Sequence, residues 1–276
     1  MSSPASSSMS QHYTILFIHG WGSSASLFEK YSKPFREQIT SADGLQSTQF
    51  LFVNAPMEME ELIGNNPKDQ RSWVYLRENR SVYYHWKAGL LSLLNQVKKA
   101  KEEGKQVNGI LGFSQGGMLS TILGGLISLE MNGLLEKQYL PPSLYEFPHP
   151  HDDDSTNFDD IIQGIRENFF TYEGSHKECL IKFIAFVGAF KPNAVQVREM
   201  LDVLFHKGLK FSGFKSLVIY GRNDELVVPA STQAIADDWI NKEECQVLAF
   251  DGRHELPVGE QEKAELIQFI RKAWNQ

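Results

Sequence analysis

A serine between two glycines is the most reactive arrangement in this chain, within the segment Gly112-Phe113-Ser114-Gln115-Gly116. The G-x-S-x-G spacing is typical of a turn in which a serine leaves a buried strand and enters a helix. Such a serine holds a strained backbone conformation, and side chains at the flanking glycines would crowd the turn. The pattern predicts a nucleophilic hydroxyl at Ser114. The alternative is a glycine-rich turn that holds a serine by chance.

A serine hydroxyl needs a general base, and the base needs a carboxylate that orients it. In proteins with this turn the carboxylate and then the histidine follow the serine along the chain. His254 comes directly after the last predicted strand, in a loop, and is the predicted base. His206, late in a predicted helix, and His176 are the alternatives downstream of Ser114.

The carboxylate is expected just after the preceding strand, Leu217–Tyr220. Asp224 stands there, before the apolar run that begins at Leu226. Its nearest rival is Glu225, and more distant rivals are Asp202 and Asp251. An ordinary turn aspartate is the alternative interpretation of Asp224.

An acyl-transfer intermediate also needs hydrogen-bond donors for its oxyanion, usually backbone N–H groups. The N–H of Gln115, directly after the serine, is the first predicted donor. The N–H of Trp21 is the second, because the loop that begins at His19 follows the first predicted strand. We expect no proton transfer by His19.

The elements that must position these residues follow from the hydrophobic pattern. Short apolar runs alternate with longer helical patterns, which is typical of a parallel sheet covered by helices on both faces. The predicted strands are Tyr13–Ile18, Gln49–Val53, Val107–Phe113, Ile181–Phe190, Leu217–Tyr220 and Val247–Phe250. The predicted helices are Tyr83–Lys101, Gln115–Leu129, Ala194–Phe205, Ser231–Ile240 and Glu260–Trp274.

Two segments fall outside this alternation. The serine-rich residues 1–11 are predicted to be a disordered tail, and residues 12–276 a single domain. Residues 131–177 contain four prolines and an acidic run, so they are predicted to be an insertion after the helix that follows the serine turn. Within it, Phe158–Phe169 has helical spacing and forms either a lid over the site or a surface helix.

Composition excludes several functional classes. The 276 residues carry 34 acidic and 27 basic side chains, which argues against nucleic acid as a partner. No apolar run is long enough to span a membrane. Two cysteines and a polar start without signal-peptide features predict a cytoplasmic protein, or one that is also nuclear. Nucleotide-binding glycine motifs are absent from the sequence, and the His/Asp tract at 149–154 is interpreted as a solvated loop rather than a metal site.

Several blocks of the chain together resemble the FSH family of serine hydrolases. These blocks are Leu16-Phe17-Ile18-His19-Gly20-Trp21, Asn54-Ala55-Pro56, Trp73-Val74-Tyr75, Gly109 to Gly117, Tyr220-Gly221 with Asp224, and Gly252-Arg253-His254 with Pro257. The resemblance implies an α/β-hydrolase fold related to carboxylesterases and acyl-protein thioesterases. It also implies a Ser114, Asp224 and His254 triad.

The expected function is therefore hydrolysis of small-molecule carboxylic esters or thioesters through an acyl-serine intermediate, without a cofactor. One alternative is a hydrolase of acylated proteins or peptides. The other is a hydrolase-fold protein that binds ligands without turnover.

Overall fold

A six-stranded, wholly parallel sheet forms the centre of the computed structural model, which describes residues 13–59, 69–77, 82–145 and 155–275. In spatial order its strands are β12 (Cys245–Phe250), β11 (Lys215–Gly221), β10 (Phe183–Val187), β7 (Val107–Phe113), β1 (Thr14–Ile18) and β2 (Gln49–Val53). Each corresponds to a predicted strand, with ends that differ by up to three residues. The predicted architecture is confirmed.

The register of the sheet brings the strand ends together at one edge. Gly112 on β7 pairs with Ile18 on β1, and Phe113 pairs with Val187 on β10. Gly221, which ends β11, pairs with Phe250 on β12. Because all six strands run in the same direction, the loops that follow them meet at this carboxyl edge, where sites in open α/β sheets form.

Helices cover both faces of the sheet. One face carries α3 (Trp86–Glu102), α4 (Gln115–Met131), α5 (Phe158–Phe169), α6 (Val195–Phe205) and α7 (Pro229–Trp239). The other carries α1 (Ala25–Tyr31), α2 (Lys33–Thr40) and α8 (Glu260–Trp274). Along β1, Leu16 and Ile18 enter the first core and Ile15 and Phe17 the second. None of the helices in the described ranges has both the length and the apolar character needed to cross a bilayer.

Short elements were missed by the sequence analysis. Helices α1 and α2 have seven and eight residues and share Ser32 as a cap, so neither shows enough turns for a clear helical period. Three antiparallel pairs of short strands were also missed. They are β3 (Met57–Glu58) with β4 (Arg71–Ser72), β5 (Tyr75–Arg77) with β6 (Val82–Tyr84), and β8 (Phe170–Glu173) with β9 (His176–Cys179).

The amphipathic helix of the insertion, α5, packs on the core. Its apolar side chains, Phe158, Ile161 and Ile165 among them, are buried against α3 and α4. Arg166 leaves the same helix to pair with the buried Glu130 at 2.8 Å, which ties the insertion to the end of α4. A cap role for residues 131–177 remains a prediction. The predicted tail at 1–11 and the acidic run at 151–154 lie outside the described residues.

Replacing Ile165 with alanine tests this packing. Because the side chain is fully buried, Ile165→Ala should lower the free energy of unfolding by about 2–5 kcal/mol, measured by urea denaturation. The exposed Gln163→Ala, two residues earlier on the same helix, is the control and should change stability by no more than about 0.5 kcal/mol. Equal, small effects of both changes would contradict a core role for α5.

Candidate active site

The turn between β7 and α4 holds Ser114 in a strained conformation, with φ 56° and ψ −117°. Its N–H donates to the carbonyl oxygen of Val187 on β10 at 2.8 Å, which fixes the turn to the neighbouring strand. A Cβ atom on Gly112 would collide with the carbonyl oxygen of Gly116, and one on Gly116 with the carbonyl oxygen of Ile18. The two glycines therefore let α4 begin directly against β1 and β7, with the serine at the tip of the turn.

Asp224 and His254 form a hydrogen-bonded pair beside this turn. The Nδ1–H of His254 donates to Oδ2 of Asp224 at 2.7 Å. The other carboxylate oxygen accepts the N–H groups of Leu226 at 2.9 Å and Val227 at 2.8 Å. The Asp224 side chain is only 1% exposed, so its charge rests on these three donors. With Nδ1 protonated, Nε2 of His254 has a lone pair that can accept a proton.

The rival side chains lie elsewhere. Glu225 is exposed, and Asp251 accepts a hydrogen bond from the side chain of Asn223 at 2.8 Å. Asp202 lies within α6, His206 follows the end of that helix, and His176 lies in β9. Of the four acids considered in the sequence, Asp224 is the one that the structure pairs with His254.

Ser114 and His254 line one cavity of about 690 Å³ at the carboxyl edge of the sheet. The ring of Phe113 packs against the imidazole with a centroid distance of 4.7 Å. In the described part of the chain, no hydrogen bond joins Oγ of Ser114 to Nε2 of His254. The other lining residues are mostly apolar: Gly20, Trp21, Ser23, Phe28, Tyr31, Tyr75, Leu76, Gln115, Phe190, Leu226 and Val227.

His19, which begins the loop after β1, is held as a neutral ring. Its Nδ1–H donates to the carbonyl oxygen of Gly20 at 2.8 Å, and Nε2 accepts the N–H of Ala55 at 3.1 Å. Burial lowers the pKa of His19 from 6.5 to about 4, and the charge of Arg71 adds to the shift. The indole N–H of Trp73 donates to the carbonyl oxygen of His19 at 2.9 Å, so the start of the loop is fixed from two sides.

Trp21 and Gln115, whose backbone N–H groups are the predicted oxyanion donors, both line this cavity. The N–H of Gly22 donates to the carbonyl oxygen of Arg71 at 3.0 Å. In return, the N–H of Arg71 donates to the carbonyl oxygen of Ser23 at 2.8 Å. The Trp21 backbone thus lies between His19 on one side and the anchored Gly22 and Ser23 on the other. Gln115 is the first residue of α4, where a helix offers its N–H no internal partner.

The side chain of Gln115 has a role that the sequence analysis did not find. Its Oε1 accepts the N–H of Trp73 at 2.8 Å and the hydroxyl of Ser72 at 3.1 Å, and its Nε2 donates to the carbonyl oxygen of Val74 at 3.0 Å. This buried amide fastens the segment that leads to Tyr75 onto the serine turn. The G-x-S-x-G motif itself gives no indication that the Gln115 side chain binds residues more than forty positions earlier in the chain.

Gly188 was also missed. It follows β10 with φ +50°, and a Cβ atom there would lie 2.9 Å from Cε1 and 3.0 Å from Nδ1 of His254. The same atom would lie 3.5 Å from Oδ2 of Asp224. Only a glycine leaves room for the paired side chains. A glycine directly after a central buried strand is the signal that could have indicated it.

A parallel sheet with a serine turn after its central strand, and an acid and a histidine from the next strand ends, defines the α/β-hydrolase class. The model of the FSH1 serine hydrolase family matches residues 9–266. The chain therefore belongs to the FSH1 family of serine hydrolases.

Solved structures share the fold at low sequence identity. Acyl-protein thioesterase 2 from Zea mays matches with a TM-score of 0.56 at 12% identity, over 95% of this chain and 94% of the other. Esterase PE8 matches with a TM-score of 0.52 at 15% identity, over 95% and 92%. A carboxylesterase from Mesorhizobium loti matches with a TM-score of 0.51 at 14% identity, over 94% and 88%. A comparison with curated proteins found no match.

The buried, neutral His19 predicts a pH dependence of stability. Between about pH 4 and 6.5 the His19 imidazole is protonated in the unfolded chain but stays neutral in the folded protein. His19 therefore makes the free energy of unfolding fall as the pH falls. From pH 7 to pH 5 its share of the loss should be roughly 2 kcal/mol. Urea denaturation at pH 7 and pH 5 tests this. At pH 7 the His19→Asn variant should have a lower free energy of unfolding than the unsubstituted protein, and between pH 7 and pH 5 it should lose less of it, by the amount that His19 contributes. The exposed His206→Asn is the control, and an unchanged slope in His19→Asn would refute the assignment.

Proposed function

We propose that the protein hydrolyses carboxylic esters or thioesters through an acyl intermediate on Ser114. The observation that carries the proposal is the 2.7 Å bond from His254 to the buried Asp224, together with the cavity that His254 and Ser114 both line. Membership of a serine hydrolase family supports it. So do the names of its fold relatives, an esterase, a carboxylesterase and an acyl-protein thioesterase.

In the proposed acylation, Oγ of Ser114 attacks the carbonyl carbon while Nε2 of His254 takes the hydroxyl proton. Asp224 stabilises the imidazolium that forms, because its carboxylate accepts the Nδ1–H and is itself shielded from water. His254 then gives the proton to the leaving oxygen or sulfur as its bond to the carbonyl carbon breaks. Water, activated by the same imidazole, releases the acid and restores the free hydroxyl.

The oxyanion of the tetrahedral intermediate would be held by the backbone N–H groups of Gln115 and Trp21. Both residues line the cavity with Ser114. Fixed dipoles of this kind stabilise developing charge without rearranging during the reaction. The anchoring of His19, Gly22 and Ser23 on either side of Trp21 supplies that rigidity.

The two thiols are poor alternatives as the nucleophile. Burial raises the pKa of Cys179 to about 12 and that of Cys245 to about 11. Attack requires the thiolate, which is scarce at neutral pH for such groups. The proposed steps use only groups of the chain and therefore call for no cofactor.

A second candidate is hydrolysis of acylated peptides or proteins. It is favoured by the exposed apolar side chains on the rim of the cavity, Trp21 at 57% and Leu226 at 73% exposure, which offer a surface to a bulky leaving group. Turnover of an S-acylated peptide compared with that of an aryl ester of the same acid distinguishes the two candidates.

Substitutions in the triad test the proposed function. Ser114→Ala and His254→Ala should each lower ester turnover by a factor on the order of 10⁶, and Asp224→Asn by a factor on the order of 10⁴. Turnover is measured with an aryl ester, and Ser114 is labelled independently with a fluorophosphonate. Glu225→Gln is the matched control and should retain activity. Loss of activity in Glu225→Gln but not in Asp224→Asn would assign the carboxylate that orients His254 to Glu225. Absence of fluorophosphonate labelling would favour a hydrolase-fold protein that binds ligands without turnover.

Gly188→Ala tests the positioning of the acid and histidine. The added methyl would press on the imidazole of His254, and misplacement by about 1 Å can cost roughly 100-fold in rate. We expect kcat for the aryl ester to fall by about that factor with a smaller change in KM. Gly174→Ala, at a positive-φ glycine with no heavy atom near the added Cβ, is the control. Equal activity of the two variants would show that the pair tolerates displacement.

A further inference from the structure

A second groove lies next to the Ser114 cavity and shares three of its side chains. These three residues, Phe190, Leu226 and Val227, are called the ridge here because each lines both spaces. The second space, called the distal groove, has a volume of about 530 Å³, close to the 690 Å³ of the cavity. Beyond the ridge it is lined by Lys191, Asn193, Val228, Ala230, Ser231 and Ala234.

The ridge is tied to the acid of the proposed triad. Oδ1 of Asp224 accepts the backbone N–H groups of Leu226 and Val227, while Oδ2 holds His254. Phe190 follows β10, two residues after the glycine that packs against His254. The backbone of the ridge at Leu226 and Val227 therefore keeps a fixed position relative to the reacting groups.

The surface of the distal groove suits an uncharged alkyl chain. Leu226 is 73% exposed and Val228 54% exposed, so apolar area stands open to water in the free protein. On the α7 side, Ala230, Ser231 and Ala234 are small and leave the space open.

The one lysine in the lining does not add a free charge. Its ammonium pairs with Asp238 and lies 5.0 Å from the centre of the Trp239 ring. Lys191 therefore presents mainly its alkyl stem to the groove. The positive charge of Lys191 is already neutralised and offers little to an anionic ligand. A hydrocarbon chain, by contrast, would gain free energy of binding by covering the exposed apolar surface of the ridge.

We infer that the distal groove is a binding subsite for the far end of a substrate's alkyl chain, so that chains long enough to cross the ridge are preferred. The inference rests on the proposed ester hydrolysis. The chain could belong to the acyl or to the alcohol part of the ester, since both leave the carbonyl carbon at Ser114. Two substrate series separate these sources.

The test measures kcat/KM for p-nitrophenyl esters from acetate to palmitate, and for acetate esters of alcohols from ethanol to dodecanol. The value should rise with chain length in one series, by up to about fourfold for each methylene group that the groove covers. Ala234→Leu and Ala230→Leu each fill the groove and should lower kcat/KM for the long members of that series by about tenfold or more. The shortest esters should be unaffected.

Ala264→Leu places the same change on the exposed face of α8 and is the control. Two independent filling variants guard against misfolding of one of them. A normal chain-length profile in both would overturn the subsite, and so would an equal loss in Ala264→Leu. Acetate turnover with fluorophosphonate labelling of Ser114 would show in that case that the proposed hydrolysis stands. Absence of turnover and labelling would refute both proposals.

Discussion

The reversal of the chain at Ser114 is the constraint on which the rest of the site depends. Holding a serine at φ 56° costs the folded protein about 1–3 kcal/mol, and the conformation persists only where its surroundings fix it. Here the N–H bond to Val187 and the close approach of Gly116 to Ile18 do so from both neighbouring strands. The packing of β1, β7 and β10 thus determines where the hydroxyl stands.

Two polar side chains extend that order to the walls of the cavity. The amide of Gln115 uses three hydrogen bonds to hold residues 72–74, and the carboxylate of Asp224 uses one oxygen for His254 and the other for the backbone of the ridge. Each group is buried, so losing one partner would leave an uncompensated polar atom. The shape of the cavity and the alignment of the proposed catalytic groups are therefore coupled.

The same coupling connects the proposed chemistry to substrate choice. The ridge is anchored on Asp224, which also bonds His254, so the choice of chain length is expected to depend on what fills the distal groove. Ala230 and Ala234 line the distal groove and do not line the cavity that holds Ser114 and His254.

The sequence by itself determined the parallel sheet, its six strands, the long helices and the serine turn, because these depend on local hydrophobic period and on the glycines that a sharp turn requires. It also limited the acid to Asp224 and a few rivals. Only the tertiary structure decided that Asp224 bonds His254, that Gly188 makes room for both, and that Gln115 holds residues 72–74. These contacts join residues from different strand ends, so no local pattern encodes them. The short α1 and α2 escaped prediction for a related reason, since their burial against the sheet stabilises them more than their own few turns.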